Sequence, residues 1–447
     1  MYKLVVLADD FTGALDTGVQ FAKAGLRTVV STVHGSGEYT GGETPRVLVV
    51  NMETRHISPA AARLKVRNIV RENNGEYYYK KTDSGMRGNI GAELEGLYGT
   101  GENGNIFFVP ALPRMGRTTS KGYHYVDGVP VSRSAFGKDP FEPVTMDFIP
   151  DIIASQSSLP VGLVSASDLA ENRIPAGDAA FLVFDAADKN ELEAVARFIK
   201  TRRPRLMAGC AGFAEYIPEL LDMSGTASGD WRAGSAGLIV FSGSLHETTL
   251  DQMVYAEDRG FESITLSPEE KLSAALGNSP QGRVILDKIE RAYQKNGKVI
   301  LKAADGPENI NSTNALAEKM GLSGNREREC IAANLGGMAA MVLQSGLCEN
   351  IAIFGGDTLA EFIKILGDSE IIPQGEISGG VVFSQLFYKK DGEEKFVNLI
   401  TKSGGFGGRD IVLSIAGYLE EKIPCVNRVF PKTSVLGIGS IKKGMTI

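Results

Sequence analysis

Short, wholly apolar runs recur along this chain, and most give way within a few residues to a helical pattern. A run that is apolar at every position must be buried on both faces, and a sheet covered by helices on both sides provides that. In the first half, strands are expected at residues 3–8, 27–32, 46–51, 77–81, 105–109, 181–185 and 205–208. Helical patterns lie between several of them, from 11 to about 24 and at 59–73, 90–98, 190–201 and 211–223. A second series follows, with strands at 238–242, 263–266, 299–303, 351–354, 380–387 and 396–401. Its helices are expected at 247–258, 280–296, 314–320, 328–345, 358–366 and 409–421. Such alternation is the pattern of βαβ units and a largely parallel sheet. Residues 122–134 read instead as a hairpin with Asp127-Gly128 at its turn.

Between the two series, residues 224–237 are small, polar and without period, which suits a linker. The expectation is an α/β protein of two domains, each with a largely parallel sheet flanked by helices, and an active site in the cleft between them. The domains are 1–223 and 238–421, and residues 422–447 form a tail. A length of 447 residues agrees with two large domains. With 47 basic against 54 acidic residues the net charge is -7, and neither half is basic. Binding to nucleic acid or to a membrane surface therefore has no electrostatic footprint. The four cysteines are widely spaced without a C-x-x-C, which argues against structural zinc or a disulfide framework. One short apolar run near the N-terminus is neither a signal peptide nor a span, and the reading is a reduced, cytoplasmic protein.

Several familiar motifs are missing. There is no P-loop, no H-R-D or D-F-G, no G-x-S-x-G and no H-E-x-x-H. One G-x-G-x-x-G runs from Gly99 to Gly104, but it follows a helix and precedes a strand, the reverse of the dinucleotide-binding context.

Four segments place polar residues and glycines just past expected strands, where open α/β sheets bind ligands. In the first, Asp9 and Asp10 precede Thr12, Gly13 and Asp16. Capping of the next helix accounts for one of these residues. Two adjacent acids suit hydrogen bonding to a polyol, with one carboxylate as general base toward a hydroxyl. The second segment carries Lys81, Thr82, Asp83, Ser84 and Arg87, and Arg55 lies past a neighbouring strand. Together they outline a site for a small hydroxylated carboxylate. The third is Gly355, Gly356, Asp357 and Thr358; the fourth is Gly404, Gly405, Phe406 and Gly407. Ser244 ends a further strand before a helix. Each turn alone could be a tight connection, but three in one domain suggest a nucleotide held by backbone and magnesium. His124 and His246 sit near these segments, and a lone histidine is more often a packing or surface residue.

These residues resemble the four-carbon acid sugar kinase family. The likeness runs from Leu4 to about Leu419 and is carried by residues 8–18 (ADDFTGALDTG), 80–93 (KKTDSGMRGNIGAE) and 110–140 (PALPRMGRTTSKGYHYVDGVPVSRSAFGKDP). Residues 242–244, 355–358 and 402–407 (KSGGFG) complete it. The resemblance implies an ATP-dependent kinase that phosphorylates the terminal hydroxyl of threonate, erythronate or 3-oxo-tetronate. It implies that Asp9 or Asp10, Arg55 and Lys81 to Ser84 bind the acid, and that Ser244, the Gly355 turn and the Gly404 turn bind ATP. Two segments depart from the usual family form, Ser84-Gly85-Met86-Arg87-Gly88 and Glu53-Thr54-Arg55, both in the acid-binding half.

The leading expectation is thus in-line transfer of the γ-phosphate, with Asp10 as base, Arg55 and Lys81 on the carboxylate, and Asp357 near Mg²⁺. No residue is assigned as a metal ligand, the partners are the sugar acid and ATP, and a homo-oligomer is compatible. Two rivals stand beside it. A nucleotide-dependent dehydrogenase needs an acid ~20 residues after a helix-opening glycine fingerprint, and no site fits that well. A sensor that binds acid and nucleotide without turnover is separated by acid-dependent ADP release.

Overall fold

The computed structural model describes residues 1–31, 39, 43–100, 104–139, 142–174, 178–226, 237–322, 324–367, 369–402 and 404–422. Most of the expected linker, residues 227–236, and the tail from 423 onward lie outside them.

The first half runs β1 (Tyr2–Ala8), α1 (Phe11–Lys23), β2 (Thr28–Ser31), β3 (Val47–Asn51), α2 (Pro59–Glu72), β4 (Gly75–Lys81), α3 (Ile90–Tyr98) and β5 (Ile106–Val109). A small sheet of β6 (Arg117–Ser120), β7 (Tyr123–Val126) and β8 (Val129–Pro130) follows. Then come α4 (Ile149–Ala154), β9 (Val161–Val164), α5 (Ala166–Ala170), β10 (Phe181–Phe184), α6 (Lys189–Arg202), β11 (Leu206–Gly209), α7 (Ala211–Ala214) and α8 (Ile217–Leu220). The second half runs β12 (Leu238–Ser242), α9 (Glu247–Glu257), β13 (Glu262–Thr265), α10 (Pro268–Lys271), α11 (Pro280–Asn296), β14 (Lys298–Lys302), α12 (Pro307–Lys319) and α13 (Gly324–Ser345). It ends with β15 (Asn350–Phe354), α14 (Gly356–Leu366), β16 (Ser369–Ser378), β17 (Val381–Lys390), β18 (Glu393–Lys402) and α15 (Ile411–Lys422).

The strands form one 15-stranded sheet rather than two separate ones, in the order β13-β14-β12-β15-β18-β17-β16-β2-β3-β1-β4-β11-β5-β10-β9. Both wings are parallel, as expected. The join is antiparallel: β16 pairs with β2 of the first half, β17 with β16, and β18 with β17. Alternation of side chains explains the core. Leu4, Val6 and Ala8 of β1 face one layer, while Val5 and Leu7 face the other. The first of these layers continues through β16, β17 and β18 into the second half, where Ile239, Phe241, Ile351 and Ile353 belong to the same cluster.

Three antiparallel steps reverse the strand direction between the wings. In a flat sheet their carboxyl ends would point apart. Six steps separate β1 from β15, and right-handed twist rotates neighbours by ~20–25° each, or ~120–150° in all. That is close to the half turn that brings both carboxyl ends to one place.

The departures from sequence expectation lie mostly in this join. Residues 380–387 and 396–401, expected within a parallel pattern, are the arms of an antiparallel hairpin. Asp391 and Gly392 form its two-residue turn, both with positive φ (53° and 80°), the backbone that Asp-Gly favours. Strand β16 was not expected, because Pro373 and Gly375 interrupt it; both sit at a register shift. The expected helix at 211–223 is two short helices, α7 and α8, with Pro218 at the start of the second.

Candidate active site at the domain boundary

Strand β1 ends at Ala8, and Asp9 and Asp10 fall in the turn before α1. Asp10 is the N-cap, and its Oδ1 accepts from Gly13 N at 3.0 Å while Thr12 Oγ1 donates to Oδ2 at 2.7 Å. Capping and function thus fall on the same side chain. Arg55, after β3, reaches across: Nε is 2.8 Å from Asp9 Oδ2, and Nη2 is 2.8 Å from Asp9 Oδ2 and 2.9 Å from Asp10 Oδ1. Asp83, after β4, stands 3.6 Å from the same Nη2. One guanidinium therefore ties three strand ends together. Its Nη1 has no hydrogen-bond partner among the described residues.

Lys81 is buried at the end of β4, and its Nζ lies 4.0 Å from Asp9 Oδ1, too long for a hydrogen bond. Asp9 Oδ1 and Thr82 Oγ1 are likewise buried without a hydrogen-bond partner. Asp9 Oδ1 and Lys81 Nζ, facing each other without a hydrogen bond, are the kind of groups a preformed polar ligand site leaves behind. Asp83 is committed to its own loop, accepting from Gly85 N (3.2 Å) and from Arg87 Nε (2.9 Å). Arg87 also reaches Asp139 at 3.1 Å. Ser84 offers its carbonyl to His124 Nε2 at 2.9 Å.

The charges are set by this crowding. Burial works against ionisation of Asp10, but Arg55 and Lys81 outweigh it and hold its carboxyl below the ordinary range. The Asp10 side chain remains 19% exposed, open to a ligand although surrounded by protein. Asp83 is held far lower by Arg87 and Arg55 against the same burial. Burial pushes Asp16, farther along α1, up to about 7, with Asp10 and Glu376 adding to it and Lys81 opposing. Burial also lowers His124 to about 4, so at neutral pH it is an uncharged packing residue.

The second half meets this site with its glycine turns. Gly355 has φ 125°, which a side chain would strain, and it caps α14. A Cβ on Gly356 would lie 3.6 Å from Thr12, so the N-terminus of α14 abuts the Asp10 turn. A Cβ on Gly404 would lie 2.9 Å from Ser244 Oγ, and one on Gly405 3.2 Å from His246 Nε2. Thr249 Oγ1 donates to the carbonyl of Gly404 at 2.6 Å, and Gln252 Nε2 to those of Phe406 and Gly407 at 3.1 and 3.0 Å. With those carbonyls turned inward, the backbone N–H groups of Gly404, Gly405, Phe406 and Gly407 donate to nothing among the described residues. Uncharged N–H groups at a helix start and in a glycine loop suit phosphate. Thr358 is buried beside Gly243, while Asp357 is exposed and 3.5 Å from Arg328.

Sequence reasoning missed Glu53 and Glu93. Glu53 has φ 46° and an exposed side chain, and the protein crowded around its carboxyl, with Asp10 and Asp357 adding, raises it above the ordinary range. Its unusual backbone has no signature in the sequence. Glu93 is buried under the site and reads in the sequence as an ordinary helix-surface acid.

Comparison with known proteins agrees with this division. Residues 4–217 match the family described as a sugar-binding N-terminal domain, and residues 239–412 the nucleotide-binding C-terminal domain. These features define an α/β protein with a sugar-binding N-terminal domain and a nucleotide-binding C-terminal domain. The chain belongs to the four-carbon acid sugar kinase family. It is 28% identical to a D-threonate kinase of Salmonella typhimurium over 435 residues, covering 94% of this chain and 99% of that protein. It is 26% identical to a 3-oxo-tetronate kinase of Pseudomonas fluorescens over 438 residues (92% and 96% covered). A D-erythronate kinase of Heliobacterium modesticaldum matches at 28% over 209 residues, 44% of this chain and 48% of that protein. Among solved structures, a Haemophilus influenzae protein of the DUF1537 family aligns with TM-score 0.68 at 22% identity, covering 93% of this chain and 100% of the other. A Salmonella typhimurium LT2 protein, described under a provisional tRNA synthase name, aligns with TM-score 0.75 at 21% identity, covering 93% and 99%. The last two likenesses concern the fold alone. No helix among the described residues is long and apolar enough to cross a membrane.

Proposed function

We propose that this protein transfers the γ-phosphate of ATP to the terminal hydroxyl of a four-carbon sugar acid. The observation that carries the reading is the buried pair Asp9 Oδ1 and Lys81 Nζ, facing each other without a hydrogen bond beside the Asp10 turn, which abuts the α14 N-terminus at Gly356. Lys81 Nζ and Arg55 Nη1 take the substrate carboxylate. Asp9 and Thr82 take its hydroxyls. Asp10, kept ionised, accepts the proton of the attacking hydroxyl as the phosphorus–oxygen bond forms and ADP leaves. Thr12 holds Asp10 in orientation. The N–H groups at Gly356, Gly404 and Gly405 hold the phosphates, with Ser244 and Thr358 beside them. Domains 1–223 and 238–421 supply one half-site each, and closing them excludes water.

The residues suit Mg²⁺ as a partner of the nucleotide rather than as a resident ion. No group of three acid, histidine or cysteine side chains among the described residues could cage a metal. Glu53 and Asp357, one from each half, raise the field at the same gap and fit a cation that arrives on phosphates. When bound, it neutralises phosphate charge.

The test is ADP release from Mg-ATP against D-threonate, D-erythronate, 3-oxo-tetronate and their five- and six-carbon homologues. Turnover confined to four-carbon acids is expected. ATP and acid binding without turnover on any of them would refute the kinase reading in favour of a sensor.

A further inference from the structure

The two cations of the sugar-acid site stand on separate segments, Arg55 after β3 and Lys81 at the end of β4. Between them lies Glu93 on α3, buried to 1% exposure. Its Oε2 is 3.0 Å from Nζ of Lys80, which is wholly buried. Its Oε1 accepts from Thr54 Oγ1. Lys80 Nζ also donates to the carbonyl of Lys81. One carboxylate thus grips the residue before Arg55 and, through Lys80, the peptide of Lys81. Asn89, at the N-cap of the same helix, adds a second tie, its Nδ2 donating to Thr54 O at 2.8 Å and to Ile57 O at 2.7 Å. Burial, with the charge of Asp9 adding, raises the Glu93 carboxyl above its ordinary range, and Lys80 opposes this.

We propose that Glu93 and Lys80 are positioning residues for the sugar acid, fixing the spacing of Arg55 and Lys81, and that their work is not stabilisation of the domain. This rests on the kinase reading above. A buried ion pair is commonly replaced by apolar residues without loss of stability, so folding alone does not call for one. Its neighbours on α3, Ile90, Leu94 and Leu97, are apolar and buried, and would accept an apolar replacement. Misplacement of a binding group by 1 Å costs on the order of 100-fold in rate.

The test compares wild type, the double variant Glu93→Leu/Lys80→Met and the single variant Glu93→Gln. It measures melting temperature, kcat, KM for the acid and KM for ATP, with acid affinity by titration calorimetry. The double variant is expected to melt close to wild type and to keep its KM for ATP within about twofold. Its KM for the acid should rise at least about tenfold, with kcat/KM down about 100-fold. Wild-type acid kinetics in the folded double variant would overturn the proposal. So would equal losses for acid and ATP. If the double variant does not fold, Glu93→Gln reads the same split: selective loss of acid affinity supports the proposal, and unchanged affinity overturns it. A wild type that binds the acid without turning it over would refute the kinase reading instead, and the calorimetric comparison would still decide the role of Glu93.

Discussion

Gly13→Ala should leave the protein folded and nearly inactive. Gly13 is the third residue of α1, so alanine suits its backbone and gains up to about 1 kcal/mol in helix propensity. The added methyl, however, would overlap Asp10 Oδ1 and Lys81 Nζ and lie 3.2 Å from Lys81 Cε. Ordinary carbon contacts are ~3.5–4.0 Å, so both charged groups must retreat by roughly 1 Å. Lys81 can swing, since its ammonium has no hydrogen bond to lose. Asp10 must give up its cap, which costs about 1 kcal/mol and cancels the propensity gain. Stability should therefore change by less than about 1 kcal/mol. A 1 Å error at the base and at the carboxylate-binding cation is worth ~100-fold, or about 2.7 kcal/mol of transition-state stabilisation. Thermal melts beside steady-state ADP release would read the two effects separately. Activity within threefold of wild type would refute the reasoning, because it would mean that neither group need stand where it does.

Asp10→Asn should lower kcat by at least about 100-fold while leaving nucleotide affinity within about twofold; preserved kcat with weakened ATP binding would remove Asp10 from the role of base. His124 gives a pH signature. The unfolded chain protonates it near 6.5 and the folded chain only at about 4, so stability is lost as pH falls through that window, by about 3 kcal/mol in full. Urea titrations at pH 7 and pH 4.5 should show this loss in wild type and a smaller one in His124→Gln. An equal slope in both would mean that other groups carry it.

The parallel wings were legible in the sequence because burial on both faces leaves no polar position in a run such as Leu4 to Ala8. The candidate site was marked in the sequence for a related reason: acids and glycines stand where those runs stop. The join was not. Pro373 and Gly375 argue against a strand on local grounds, and only pairing at a bulge beside β17 makes one. The Asp391-Gly392 turn was a readable signal, of the same kind as Asp127-Gly128, and it alone would have marked the hairpin. Within the site, Arg55 could be read as a cation but not as one shared by three strand ends. The partnership of Glu93 with Lys80 was equally hidden, since nothing in an acid on a helix tells whether a lysine from a neighbouring strand will face it.

The antiparallel join has a consequence for how such a chain can change. Strands β16, β17 and β18 act as a phase element between two wings. Their number sets whether the wings run the same way or opposed, and each contributes ~20–25° of rotation. Insertion or loss of a single strand would flip the polarity of one wing and detune its angle at once, leaving the glycine turns aimed away from Asp10. Loops elsewhere can lengthen without moving the chemistry. Here the tolerance is geometric parity: the strands of the hairpin can lengthen, but their number cannot change, and the turn between Lys390 and Glu393 must keep its positive φ.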